Sequence, residues 1–81
     1  MSHVYMMGNG YMVEVPAVGE RWRRYIWRDR LGPCIERTIT AVQVSHASVL
    51  IEYTSANRGT AVRITLGQWL YWRAHAMRVQ P

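Results

Sequence analysis

The chain has 81 residues, 49% of them hydrophobic, with ten arginines, no lysine and five carboxylates, which gives a net charge of +5. This length corresponds to one small domain that removes only about 60 to 65% of its unfolded surface from water, and the apolar fraction excludes a disordered chain. The single cysteine, Cys34, excludes an internal disulfide, so stability has to come from the core, self-association or a partner. The positive charge favours an anionic partner, such as a phosphate backbone or an acidic protein surface.

The sequence also bears on the cellular compartment. It has no apolar run of membrane-spanning length, and no N-terminal basic segment followed by an apolar core and a cleavage site. A lone thiol fits a reducing environment. We therefore expect a cytoplasmic protein without a membrane partner.

Residues 1–10, MSHVYMMGNG, are compatible with two interpretations. Gly8-Asn9-Gly10 tolerates positive φ and lies between two apolar runs, which predicts a tight hairpin. The same residues would form a loose leader if a later methionine were the true start. From residue 11 onward, alternating apolar residues predict a first strand that ends at Pro16, within one small barrel-like domain over residues 11–81.

The segment of residues 20–30, ERWRRYIWRDR, interleaves arginines with aromatic residues. Neither face of the strand that this segment predicts is purely apolar. This is typical of a strand whose outer face is used, because Arg stems and aromatic rings can lie over apolar surface with their polar ends in water. The alternation would place Trp22, Arg24, Ile26 and Arg28 on one face, and Arg21, Arg23, Tyr25 and Trp27 on the other.

Two further strands are predicted after a turn at residues 29–33. Cys34–Val44 is the longest β-branched run, but its alternation slips near Ala41. A bulge or bend there would return both sets of apolar residues to the core. Residues 49–53 alternate again, and the loop that follows ends at Gly59, as hairpin loops do.

Residues 60–79 change from a period of two to helical spacing. Apolar side chains alternate from Thr60 to Thr65, which predicts a strand. Thr65 and Gln68 have the spacing of a capping box, so a short helix is predicted from there to about Ala76. Its apolar side chains occupy more than one side, so we expect part of the helix to lie outside the core. Met77-Arg78-Val79 predicts a short closing strand.

Together these elements predict a mainly β fold, either a small barrel or a curved antiparallel sheet of four to five strands, with one short C-terminal helix. Closing the sheet would also protect its edges. The length of the helix leaves an α+β arrangement of sheet plus helix as the alternative.

Six short motifs follow one another between residues 19 and 79: Gly19-Glu20-Arg21-Trp22, Arg28-Asp29-Arg30-Leu31-Gly32, Thr38-Ile39-Thr40-Ala41-Val42, residues 49–53, residues 69–72 and Arg78-Val79. In this order they resemble SH3-like small barrels, in particular short uncharacterised proteins encoded by prophages and other mobile elements. The resemblance implies a non-enzymatic accessory protein that serves a phage or plasmid against its host, in the host cytoplasm. It transfers no functional residues.

Catalytic and metal chemistry has little support in the sequence. His3, His46, His75 and Cys34 are scattered, without the close pairs that recur in metal sites. No Gly-rich loop opens a helix as a nucleotide cradle, and the carboxylates show no paired arrangement. We therefore expect a protein without enzymatic activity, cofactor, bound metal or small-molecule substrate.

The first functional hypothesis is a protein interface, formed with a second copy as a homodimer or with a foreign protein. Tryptophan, tyrosine, methionine and arginine are the side chains that interfaces bury at their centres. The resemblance extends this hypothesis to inhibition of a host defence nucleoprotein. The residues predicted for the interface are Trp69, Tyr71, Trp72, Arg73 and Met77.

The second hypothesis is an accessory or regulatory protein that binds nucleic acid, or another acidic partner, through the basic aromatic segment. Arginines would pair with phosphates while rings stack on bases, as in sheet-face binders of single strands. The residues predicted for this face are Arg21, Arg23, Arg24, Tyr25, Trp27, Arg28 and Arg30.

Overall fold

The computed structural model describes residues 3–7, 10–27, 31–46, 48–56 and 59–80, with His3 described by its backbone alone. These residues form seven strands and one helix. In chain order the elements are β1 (His3–Met6), β2 (Met12–Val15), β3 (Arg21–Tyr25), β4 (Cys34–Val44), β5 (Val49–Ser55), β6 (Val62–Thr65), α1 (Leu66–Arg73) and β7 (Met77–Val79).

The strands form two antiparallel sheets. β1 and β2 pair with each other, with Met6 opposite Met12. The other five strands form one sheet in the order β6-β5-β4-β3-β7. Each strand in it neighbours the next along the chain, except that β7 returns after the helix to pair with β3. In the part of the chain that the structure describes, the outer strands β6 and β7 do not pair, so the barrel is not closed.

The predicted fold class, mainly β with one short C-terminal helix, is therefore confirmed. Of the predicted arrangements, the structure has the antiparallel sheet, with five strands. The antiparallel pairing of β1 with β2 is the pairing that the hairpin interpretation of the first ten residues expects. Two residues of the predicted turn, Gly8 and Asn9, lie outside the described residues.

The two faces of the large sheet differ in chemistry. Paired residues of neighbouring strands share a face, and the register places Trp22, Ile39 and Ile51 on the same side, which we call the inner face. The opposite, outer face carries ion pairs between neighbouring strands: Arg21 and Arg23 with Glu36, and Arg63 with Glu52. This polarity is expected of an antiparallel sheet that packs a core on one side only.

The predicted bulge near Ala41 is confirmed. The pairing of β4 with β5 shifts register between Ile39 and Ala41. Ile39 lies on the inner face before the shift, and Val42 lies there after it, opposite Ile51. The extra residue therefore keeps the apolar side chains of a long strand on the core side, which is what a bulge does.

The predicted capping box at the start of α1 is also confirmed. The Thr65 hydroxyl accepts a hydrogen bond from the backbone N–H of Gln68 at 3.2 Å, and the Gln68 side chain accepts one from the backbone N–H of Thr65 at 3.0 Å. These bonds satisfy backbone donors that the first turn of a helix leaves unpaired. The chain thus passes from β6 directly into the helix without a loop.

The core lies between the inner face, α1 and the β1–β2 hairpin. Trp69 of the helix is fully buried, with its ring edge-on to Trp22 at 5.7 Å and stacked on Trp72 at 5.5 Å between centroids. Geometry of this kind adds to the burial energy of aromatic rings. The other buried side chains are Val15, Ile39, Val49, Ile51, Tyr53 and Leu66.

Two predicted boundaries were wrong. The strand expected over residues 20–30 ends at Tyr25, because the chain bends there and the N–H of Ile26 donates to the carbonyl of Pro33 at 3.2 Å, which closes a loop. The helix expected to reach Ala76 ends at Arg73, because the chain has to reverse within three residues to bring β7 against β3.

Candidate functional site

An open groove lies where α1 ends and the inner face of the sheet continues beyond it. Its volume is about 790 Å³. One wall comes from the end of β3 and the following bend, residues 23–27, and the floor comes from Ile35 and Arg37 of β4. The other wall comes from Trp72 and the turn of residues 74–77, between α1 and β7.

The groove has a one-sided charge. The described residues that line it include Arg23, Arg24, Arg37 and His75, and no carboxylate. The guanidinium of Arg23 pairs with Glu36 on the outer face, so Arg24 and Arg37 supply the positive charge on the groove side. A concave, basic surface of this kind attracts anions over distances of about a Debye length, roughly 10 Å at 0.1 M salt.

Arg37 occupies an unusual position at the inner edge of the groove. Its guanidinium carbon lies 4.1 Å from the centroid of the Tyr53 ring and 4.3 Å from that of the Trp72 ring. Arginine stacks favourably on aromatic faces. The two rings therefore lie within cation–π distance of the positive charge of Arg37.

Arg24 and Arg23 are neighbours in sequence but differ in their surroundings. Arg24 lies on the inner face, opposite Ile35 in the sheet register, and forms no ion pair with any carboxylate that the structure describes. Arg23 donates to Glu36 at 3.0 Å on the outer face. Its hydrogen bond to the Tyr25 hydroxyl, and then that to Glu36, raise the pKa of Arg23 above its ordinary value. Arg24 is thus the better placed of the two to meet an anion in the groove.

Trp27 stands at the outer rim of the groove. It lies in the bend after β3, and 57% of its surface is exposed. The edge of its indole ring rests on Gly32, where a Cβ atom would come within 3.0 Å of ring carbon Cζ3. The position therefore needs glycine for contact as well as for its φ of +82°.

The residues predicted for nucleic-acid binding are only partly brought together. Arg24 and Trp27 line the groove. Arg23 and Tyr25 also border it, but the register places them on the outer face with Arg21. There Arg23 and Arg21 both pair with Glu36, at 3.0 and 3.6 Å. Arg28 and Arg30 lie outside the described residues.

The predicted protein interface requires a correction. Trp69 is completely buried and Trp72 is only 7% exposed, so neither offers a partner an accessible anchor. Both fill the space between the helix and the sheet, because an eight-residue helix on a five-stranded sheet needs large side chains to reach the inner face. Tyr71 is 81% exposed. Arg73 donates to the carbonyl of Glu14 at 3.4 Å, and Met77 is half-buried in the wall of the groove.

Sequence reasoning missed Arg37 and His75. A signal for Arg37 was present, because it alternates with Ile35 and Ile39 on β4 and so interrupts an apolar face with a charge. His75 carried no local signal, since its place in the groove depends on where α1 ends.

In the part of the chain that is described, no three His, Cys, Asp or Glu side chains come together as a metal site, and Cys34 is exposed. The one described helix is too short to cross a membrane. No protein-family model, curated protein or solved structure matches this chain, so the groove has to be interpreted from its own geometry.

Proposed function

We propose that this protein is a non-enzymatic binding protein that holds nucleic acid in the groove. The observation that carries the proposal is the composition of the walls: Arg24 and Arg37 on the inner face, together with His75 and several aromatic rings, with no carboxylate among the described lining residues. A positive surface without carboxylates suits a partner that carries regularly spaced negative charges, as a phosphate backbone does. The excess charge of +5 on the whole chain supports the same partner.

The arrangement suits a phosphate backbone in particular. Arg37 lies against two rings and Arg24 is on the same inner face, so two positive charges lie within one groove. The planar fork of arginine matches the geometry of phosphate oxygens. Contacts of this type account for much of the affinity of nucleic-acid-binding proteins and make it depend on salt.

A charge reversal on each face of the sheet tests the proposal. Arg24→Glu should lower the affinity for a labelled oligonucleotide at low salt by about 10-fold or more, because it places an anion in the groove. Arg63→Glu is the matched control, since it changes the net charge equally on the outer face, where Arg63 is 70% exposed. The readout is fluorescence anisotropy over a range of salt concentrations. Equal losses for the two variants would mean that net charge, and not the groove, determines binding.

A protein partner is the second candidate, and the surface that favours it is not the helix. Val4, Met6 and Met12 are each more than half exposed, and Met6 lies opposite Met12 on the β1–β2 hairpin. Exposed apolar side chains grouped in this way mark interfaces. A second copy of the chain fits them best, because the hairpin carries little of the positive charge that would oppose self-association. Inhibition of a host defence nucleoprotein stays a prediction from the resemblance.

Sedimentation of the unmodified protein tests this second candidate. A dimer that the double variant Met6→Gln, Met12→Gln converts to a monomer would support it. A monomer at all concentrations would rule out self-association through the hairpin and leave the groove as the one proposed site.

A further inference from the structure

Trp27 is the most exposed of the four tryptophans, and its ring is supported by contact with the loop backbone. Its ring rests on the backbone at Gly32, where an added Cβ would approach ring carbons Cζ3 and Cε3 to 3.0 and 3.1 Å. Such contacts are tighter than most that real Cβ atoms make, so a side chain at residue 32 would push the ring from this position. The hydrogen bond from Ile26 to Pro33 closes the loop around this contact.

A ring that its neighbours already hold loses less conformational entropy on ligand binding than a ring that rotates freely. A surface tryptophan without neighbours has to be immobilised when a ligand stacks on it, which costs free energy. Trp27 is already in contact with the loop backbone, yet more than half of its surface faces solvent. It is therefore pre-organised for stacking at little additional entropic cost.

We infer that Trp27 is the platform for an unpaired base, and that the groove therefore takes single-stranded rather than duplex nucleic acid. This inference rests on the proposed function and names its substrate class. In a duplex both faces of each base are covered by neighbouring bases, so a ring can stack only on a base that has left the helix. Arg24 and Arg37 line the same groove as Trp27, so their positive charge attracts the phosphates next to that base.

The direct test compares four ligands on the same protein. They are single-stranded DNA and single-stranded RNA of about 12 nucleotides, within the site sizes of small β domains, the corresponding DNA duplex, and inorganic polyphosphate, which has charge but no bases. The unmodified protein should bind both single strands more tightly than the duplex. Comparison of single-stranded DNA with single-stranded RNA also shows whether the 2′-hydroxyl of the sugar affects the affinity.

The variants separate stacking from charge. Trp27→Leu should weaken binding of the single strands by roughly 10-fold, the lower part of the range for loss of one base stack, and leave polyphosphate binding unchanged. Trp27→Tyr keeps a ring and should restore part of the affinity. Gly32→Ala should weaken single-strand binding in the same direction, because the methyl group displaces the indole. Circular dichroism and thermal melting check that each variant stays folded.

Three outcomes would overturn the inference. Equal affinity for single strands and duplex, with no effect of Trp27→Leu, would exclude base stacking while the proposed function stands. An equal loss for polyphosphate would show that Trp27 only shapes the groove. Failure of the unmodified protein to bind any of the nucleic acids at low salt would remove both the inference and the proposed function.

Discussion

The inner face of the sheet has two regions that the end of α1 separates. Under the helix, Ile39 and Ile51 are buried in the same core cluster as Trp69. Beyond the helix, the same face continues with Ile35 and Arg37 into the groove. On β4 the two regions are only two residues apart, from Ile39 to Arg37. The candidate site therefore arises where α1 stops covering the inner face of the sheet, and not from a separate structural element.

Trp72 belongs to both regions. Trp72 stacks on Trp69 on its core side, at 5.5 Å between centroids, and contacts the guanidinium of Arg37 on its groove side. Core packing and site geometry are therefore coupled through one ring. Changes in the covered region should act mainly on stability, changes in the groove mainly on binding, and changes at Arg37 on both.

The largest effect is expected from Trp69→Ala in the covered region. It removes a fully buried ring that contacts two other tryptophans, so the free energy of unfolding should fall by about 3–5 kcal/mol. Urea denaturation followed by circular dichroism measures this loss. Tyr71→Ala is the matched control on the same helix, and its effect should stay within about 0.5 kcal/mol because Tyr71 faces solvent. Equal effects of the two variants would contradict the assignment of the core.

Arg37→Met at the boundary should lower both stability and binding. The methionine keeps an unbranched stem but loses the charge that contacts Tyr53 and Trp72, so the free energy of unfolding should fall by about 1–3 kcal/mol. The slope of log affinity against log salt should also decrease by about one unit.

Arg37→Lys provides the control for Arg37→Met, since it retains the charge without the planar guanidinium. It should keep the salt slope and recover only part of the stability. A methionine variant that melts and binds like the unmodified protein would show that the boundary does not couple the two regions.

Thr65→Ala changes the N-terminal end of α1, which is the end farther from the groove. Loss of the cap should lower the free energy of unfolding by about 1 kcal/mol, without changing the affinity for nucleic acid. Thermal melting of Thr65→Ala and Thr65→Ser side by side is the measurement, since serine retains the hydroxyl that accepts from Gln68. Equal destabilisation by alanine and serine would mean that the capping bonds do not stabilise the helix.

The smallest effect is expected on the outer face. Arg21→Gln removes an ion pair to Glu36 in which the N–O distance is 3.6 Å and the arginine side chain is 48% exposed. Arg23 still pairs with the same carboxylate in this variant. Its effect on the free energy of unfolding should be under about 0.5 kcal/mol, and the salt slope of binding should not change. A fall in that slope as large as for Arg37→Met would place part of the binding surface on the outer face.

Local patterns in the sequence predicted several elements well. The slip in alternation near Ala41 predicted the bulge, and the spacing of Thr65 and Gln68 predicted the capping box. Each of these features is determined by residues within a few positions of one another, so the sequence alone contains the required information. The short closing strand, Met77–Val79, followed from the same kind of pattern.

The division between core and surface among the aromatic residues was not predictable in this way. Trp22 packs on Trp69, whereas Trp27 lies exposed, although both come from one basic aromatic segment. Which ring is buried depends on where β3 ends and on how β3 pairs with β4 and β7, which are tertiary features. The burial of Trp72 and the place of Arg37 depend on the same register.

An NMR titration shows whether the uncovered part of the inner face binds single-stranded nucleic acid. Amide and indole signals of the ¹⁵N-labelled protein are followed as a single-stranded oligonucleotide is added at low salt. We predict the largest shifts at the Trp27 indole, at Arg24 and Arg37, and in the turn of residues 74–77. Shifts concentrated on the outer face around Glu52 and Arg63, or on the β1–β2 hairpin, would contradict binding at the inner face.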